Sequence, residues 1–204
     1  MVPIERRTIT MPSNETSRLF VAIVPPAQIV RGLLAAASTL AKQLPPRAVR
    51  WAPVEKLHLT LNFLGEIQVA RVPEIRSALR SACEGYFSHQ VRVAGFGVFP
   101  NRSRPQIIWV GLTGDLRPVE NLKKSVDAHL GDFEDRPFRP HLTLGRAVAM
   151  NPGARKSLAI FLDEQKDCDF GLWRIEKVDL VQSVLSSQGS IYTTIDSNLL
   201  ESES

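Results

Sequence analysis

The run His-Leu-Thr-Leu occurs twice in this chain, at residues 58–61 and 141–144, and each copy alternates polar and apolar side chains. Strict alternation puts successive side chains on opposite faces of a strand. From Leu57 to Phe63 the odd positions are Leu57, Leu59, Leu61 and Phe63, and the even ones are His58, Thr60 and Asn62. The second copy divides the same way, with His141 and Thr143 on one face and Leu142 and Leu144 on the other. Each strand therefore offers an imidazole and a hydroxyl about 7 Å apart on one side, at roughly 3.3 Å of rise per residue. Its other side is an apolar row that has to be buried.

The surroundings of the two runs repeat as well. "RLFVAIVPP" reads as a buried strand stopped by two prolines, and Pro26 opens an Ala- and Leu-rich helix running to about Lys42. "QLPPRAVRWAP" is a proline-rich basic connection, and it leads into the first motif. Helical spacing follows over residues 70–84, through Val72, Ile75, Leu79 and Cys83, and then the strand pattern "HQVRVAGFGVFP". The plan starts again with a second buried-type strand, "QIIWVGL", and a second amphipathic helix, "LRPVENLKKSVDAHL". A second basic connection, "GDFEDRPFRP", runs straight into the second motif. A helix around 154–164 and late strands near 174–185 and 190–196 complete the chain. Strand, helix, basic connection and motif strand thus recur in one order, a repeat of plan more than of letters. The expected architecture is α+β: a bilobal, duplicated fold over residues 18–197, two antiparallel sheets facing across a central cleft with helices outside. Residues 1–17 are read as a disordered extension and 198–204 as a frayed end.

Composition narrows the function classes. No run of about 18 apolar residues is present, so no membrane-spanning helix is expected. The first residues carry charge without an apolar core, unlike a secretory signal, and a cytoplasmic location is expected. The two cysteines, Cys83 and Cys168, are too few and too far apart for a disulfide framework or a metal knuckle. The formal charge of +4 suits an anionic partner without specifying one.

One His beside one Thr on a strand is ordinarily a solvated pair. Two matching polar faces in a duplicated unit can meet across a pseudo-twofold axis and give one site with two imidazoles and two hydroxyls. One imidazole can accept a proton while the other donates one, which suits in-line displacement at phosphorus. Threonine hydroxyls can donate to non-bridging phosphate oxygens without adding charge. No carboxylates stand at metal-ligand spacing, so neither a metal nor any other cofactor is required.

Two His-x-Thr-x motifs in a duplicated chain resemble the 2H phosphoesterases, most closely the RNA 2′,3′-cyclic phosphodiesterase branch, also called 2′-5′ RNA ligases. The resemblance is carried, in order, by "RLFVAIVPP", "RWAPVEKLHLTLNFLGE", "RPQIIWVGL" and "RPFRPHLTLGR". It implies hydrolysis of 2′,3′-cyclic phosphate ends of RNA to 2′-phosphomonoesters without metal, some members also joining tRNA halves in vitro. The implied partner is RNA with such an end, tRNA fragments or oligonucleotides, met by a monomer away from any membrane. By motif position, His58 and His141 become the acid–base pair, with His58 assigned as acid, and Thr60 and Thr143 the phosphate clamps. Arg146, Asn62, Trp51 and Phe138 are further candidate substrate contacts. Arg146 falls on the leucine face of a regular strand and reaches the site only if Gly145 introduces a bulge or bend. Two rival readings are a non-catalytic module that binds RNA ends and a zinc hydrolase using the two histidines as ligands. The first would want Arg and Lys in place of matched imidazoles; the second lacks a third ligand at recognisable spacing.

Overall fold

In a computed structural model of the chain, the described residues are 15–131, 137–187 and 189–202. Nine strands form the sheet: β1 (Thr16–Ile23), β2 (Val49–Trp51), β3 (Leu59–Gln68), β4 (His89–Phe99), β5 (Ile107–Thr113), β6 (His141–Ala147), β7 (Asp169–Ile175), β8 (Lys177–Ser186) and β9 (Gly189–Leu199). The helices are α1 (Ala27–Gln43), α2 (Val72–Cys83), α3 (Arg117–Leu130) and α4 (Pro152–Glu164). Proline sets where the helices begin. Pro26 precedes α1, and α2, α3 and α4 each carry a proline in their first turn, where its missing N–H costs nothing. Asn151 caps α4 by accepting from the Ala154 N–H at 2.8 Å.

The strand order is β7-β4-β5-β6-β3-β1-β8-β9, with β2 also paired to β6. Read outward from the β6–β3 seam, each motif strand is followed by the strand preceding it in its repeat, β5 beside β6 and β1 beside β3. The duplication expected from sequence is therefore visible in the topology. The expectation of two separate sheets is corrected: the strands form one hydrogen-bonded sheet. Its halves meet at a single register pair, Leu59 opposite Leu142, because β2 takes over the edge of β6 immediately beyond that point.

The halves also exchange helices. α1 leaves β1 but packs on α4 and β7 of the other half, while α3 leaves β5 and packs on α2 and β3. Leu59 and Leu142 lie in one core with Ile75 and Leu79 of α2 and Val119, Leu122 and Val126 of α3. A second core holds Leu40 of α1, Leu158, Phe161 and Leu162 of α4, Val49 and Ile108. Among the described residues, these crossovers interlock the two halves.

Expectations at the chain ends shift. Residues 1–14 of the expected extension lie outside the described residues, whereas Thr16 and Ser17 already belong to β1. The end expected to fray from 198 onward is held through Glu201. Leu200 is buried and donates to the Glu176 carbonyl, and Glu201 exchanges backbone hydrogen bonds with Tyr86 and Ser88.

Candidate active site

The seam passes through the middle of both motifs. Leu59 and Leu142 are opposite one another and point into the core, so their neighbours His58, Thr60, His141 and Thr143 all point away from it. The four side chains singled out by the repeat share one patch of one face.

The two imidazoles are anchored alike. His58 Nδ1 lies 2.8 Å from the Lys56 carbonyl and His141 Nδ1 2.6 Å from the Arg139 carbonyl, each partner two residues back along the chain. A carbonyl only accepts, so both Nδ1 atoms carry the proton and Nε2 is the ring nitrogen chemically able to take one up. Aromatic rings fix the imidazole planes. Phe20 and Tyr192 lie 4.9 and 5.6 Å from His58, ring centre to ring centre, and Phe99 and Trp109 lie 5.0 and 6.1 Å from His141. Burial pushes the pKa of His58 below its ordinary value; the Lys56 carbonyl opposes this, and the charge of His141 adds to it. Two imidazoles within electrostatic reach resist being charged together.

Both motif strands carry a bulge at the same place. Ala22 pairs with Thr60 and Val21 with Asn62, which leaves Leu61 as the extra residue; Trp109 pairs with Thr143 and Ile108 with Gly145, which leaves Leu144. Either bulge reverses the alternation beyond it. Asn62 and Gly145 turn inward, and Phe63 and Arg146 come out beside Thr60 and Thr143 on the site face. Gly145 has to lack a side chain, because a Cβ there would lie 2.7 Å from Val49 Cγ1 and 3.1 Å from the Arg50 carbonyl oxygen. The condition set for Arg146 is thus met, and it shares a face with His141 and Thr143.

The other three candidates are placed elsewhere. Asn62 is 2% exposed and donates to Asp127 Oδ1 at 2.9 Å and to the Gly131 carbonyl at 2.8 Å, tying the β3 bulge to the end of α3. Its reading as a neighbour of His58 depends on unbroken alternation, which the bulge removes. Trp51 lies on the opposite face of β2 from Arg50 and packs against both cores. Phe138 packs against the first core, with Lys123 Nζ 5.9 Å from its ring centre.

Sequence reasoning missed the aromatic seats of the histidines. Phe20 and Trp109 lie within apolar runs that look buried throughout, and Tyr192 lies far along the chain. Ala22 beside Thr60 occupies the place that Trp109 takes beside Thr143, so the halves differ in room. A cavity of about 80 Å³ opens next to His58, lined by Phe20, Ala22, Val24, Glu55 and Tyr192. Among the described residues no three His, Cys, Asp or Glu side chains cluster as metal ligands would. His89 and His129 hold backbone carbonyls in other parts of the molecule.

Residues 23–109 match the family model described as LigT like phosphoesterase. A curated RNA 2′,3′-cyclic phosphodiesterase of Thermus thermophilus is 33% identical over 196 residues, spanning 91% of each chain. The chain belongs to the LigT-like phosphoesterases of the 2H superfamily. The solved structure of the TT0787 protein of Thermus thermophilus superposes with a TM-score of 0.73 at 30% identity, covering 92% of this chain and all of that one. Escherichia coli LigT complexed with 3′-AMP gives a TM-score of 0.69 at 26% identity, covering 91% of this chain and 99% of that one.

Proposed function

We propose that this phosphoesterase hydrolyses 2′,3′-cyclic phosphate ends of RNA to 2′-phosphomonoesters, using His58 and His141 as its acid–base pair and no metal. The observation that carries the reading is the seam: one register pair brings two identically anchored imidazoles and two hydroxyls to one patch. The names of its relatives and the 3′-AMP held by one of them supply the substrate class.

In the reaction, His141 Nε2 takes a proton from water as its oxygen attacks phosphorus. The bond from phosphorus to the 3′ oxygen breaks, and His58 Nε2 gives that oxygen its proton. The product carries a 2′-phosphate and a 3′-hydroxyl. His58 ends neutral and His141 charged, and exchange with solvent restores both. Thr60 and Thr143 donate to the non-bridging oxygens, where negative charge grows in the transition state. The carbonyls on Nδ1 hold each ring and stabilise its cationic form. Burial favours the neutral form of His58, and a bound phosphate anion restores the charge. A lowered pKa also makes His58 the stronger proton donor to a departing alkoxide. If the 5′-hydroxyl of a second RNA replaces water, His141 takes its proton as its oxygen attacks the cyclic phosphate. The bond to the 3′ oxygen breaks with the His58 proton going to that oxygen, and the product is the 2′-5′ linkage that some members of the family form in vitro.

The test is an RNA oligonucleotide ending in a 2′,3′-cyclic phosphate, incubated with the protein in excess EDTA. Ring opening is read by mass, and the product end is assigned by its resistance to a phosphatase specific for 3′-phosphates. Conversion to a 2′-phosphate supports the proposal. Conversion to a 3′-phosphate, or activity that EDTA abolishes, rejects it.

A further inference from the structure

β2 and β6 place Arg50 and Arg146 directly opposite one another, with Ile107 of β5 on the far side of Arg146. Residues opposite in an antiparallel pair share a face and stand about 5 Å apart at Cβ, and like charges there repel. Both arginines are exposed, and neither forms an ion pair among the described residues. Five others, Arg71, Arg92, Arg102, Arg117 and Arg174, each meet a carboxylate. The juxtaposition also constrains a third residue, since β2 can close on β6 only because position 145 is glycine. A fold that sets two arginines opposite one another on the face of its two motif histidines, without a counter-ion among the described residues, is built to receive an anion.

That anion is distinct from the reacting phosphate, which the proposed mechanism assigns to the histidines and threonines. Arg146 lies three residues beyond Thr143, and the bulge takes up one of them, so its Cα is roughly 7 Å further along the strand. This is comparable to one nucleotide step along an extended RNA strand. Two forked guanidinium groups match the paired non-bridging oxygens of a phosphodiester.

Resting on the cyclic phosphodiesterase reading, we propose that Arg50 and Arg146 form a subsite for the phosphodiester one nucleotide upstream of the cyclic end. The preferred substrates are then oligonucleotides, and free cyclic mononucleotides are poor ones. The experiment compares kcat/KM for uridine 2′,3′-cyclic phosphate, for diuridylate ending in the cyclic phosphate, and for the same dinucleotide with an uncharged methylphosphonate linkage. The charged dinucleotide is expected to exceed the other two by about 10-fold or more. Arg50→Gln is expected to remove most of that advantage, with a Tm that holds or rises as the repulsion is relieved. In Arg50→Gln the methylphosphonate linkage is then expected to cost little more. Equal rates for the charged and uncharged dinucleotides, or an advantage that survives Arg50→Gln, would overturn the subsite. Should the wild-type protein turn over none of the three, the reading of the activity fails separately. The subsite is then judged by equilibrium binding of the two dinucleotides, equal affinities overturning it and a charged-linkage preference lost in Arg50→Gln upholding it.

Discussion

Asn62→Ala separates two roles that the sequence alone runs together. Asn62 is 2% exposed, and its amide donates to the Asp127 carboxylate and to the Gly131 carbonyl. A buried hydrogen bond to a charged group contributes about 1.5–3 kcal/mol and one to a carbonyl about 0.5–1.5. The amide oxygen, buried with no donor among the described residues, offsets about 1 kcal/mol of this. The expected loss is about 2 kcal/mol, or roughly 4–8 °C in Tm for a domain of this size. Asp127 keeps Lys123 at 2.5 Å, so no charge is left unpaired. Urea unfolding followed by circular dichroism measures the loss, and single-turnover hydrolysis of a cyclic-phosphate RNA measures the chemistry. The expected result is the full stability loss with the chemical step within about 5-fold of wild type. A variant as stable as wild type to within about 0.5 kcal/mol but slowed about 100-fold would put Asn62 back beside His58 and refute the bulge.

Gly145→Ala drives a methyl group into Val49 and the Arg50 carbonyl; a loss of about 1–3 kcal/mol is expected, read from the same urea titrations. Burial lowers the pKa of His58, so between that lowered value and the ordinary one near 6.5 the unfolded chain binds the proton more readily. The stabilising contribution is complete above the ordinary value and is lost as pH falls through the folded one; His58→Gln is expected to flatten the stability profile in that window. A cyclic substrate with sulfur in place of the 3′ oxygen releases a thiolate that needs no general acid. His58→Ala is expected to recover most of its rate on that substrate and His141→Ala to recover none, and the opposite pattern would exchange their roles.

The repeat carries the fold a long way, because the two motif strands have to bury Leu59 and Leu142 and doing so aligns everything between them. What alternation does not show is where a strand breaks it. The bulges at Leu61 and Leu144 arise from pairing with β1 and β5, contacts distant in sequence, and they decide the faces of Asn62, Phe63 and Arg146. β2 is hidden inside a proline-rich connection because its three residues are too few to show a period. β7 is hidden for a related reason, since Gly171 interrupts "DFGLWRI" and it borders directly on β8. The aromatic seats of the histidines depend on cross-strand and long-range packing, which composition does not encode. The exchange of α1 and α3 between halves is likewise invisible, since an amphipathic stripe shows that a helix is buried and not against which strand.

The central claim is that two imidazoles share the chemical step, and single-turnover cleavage of a cyclic-phosphate RNA by His58→Ala and by His141→Ala, in EDTA, tests it most directly. General acid–base catalysis contributes about 10²–10⁴-fold per group, so each variant is expected to lose about 100-fold or more in the chemical step while its unfolding curve stays close to wild type. Either variant cleaving within about 10-fold of the wild-type rate would show that its histidine is not part of the reaction.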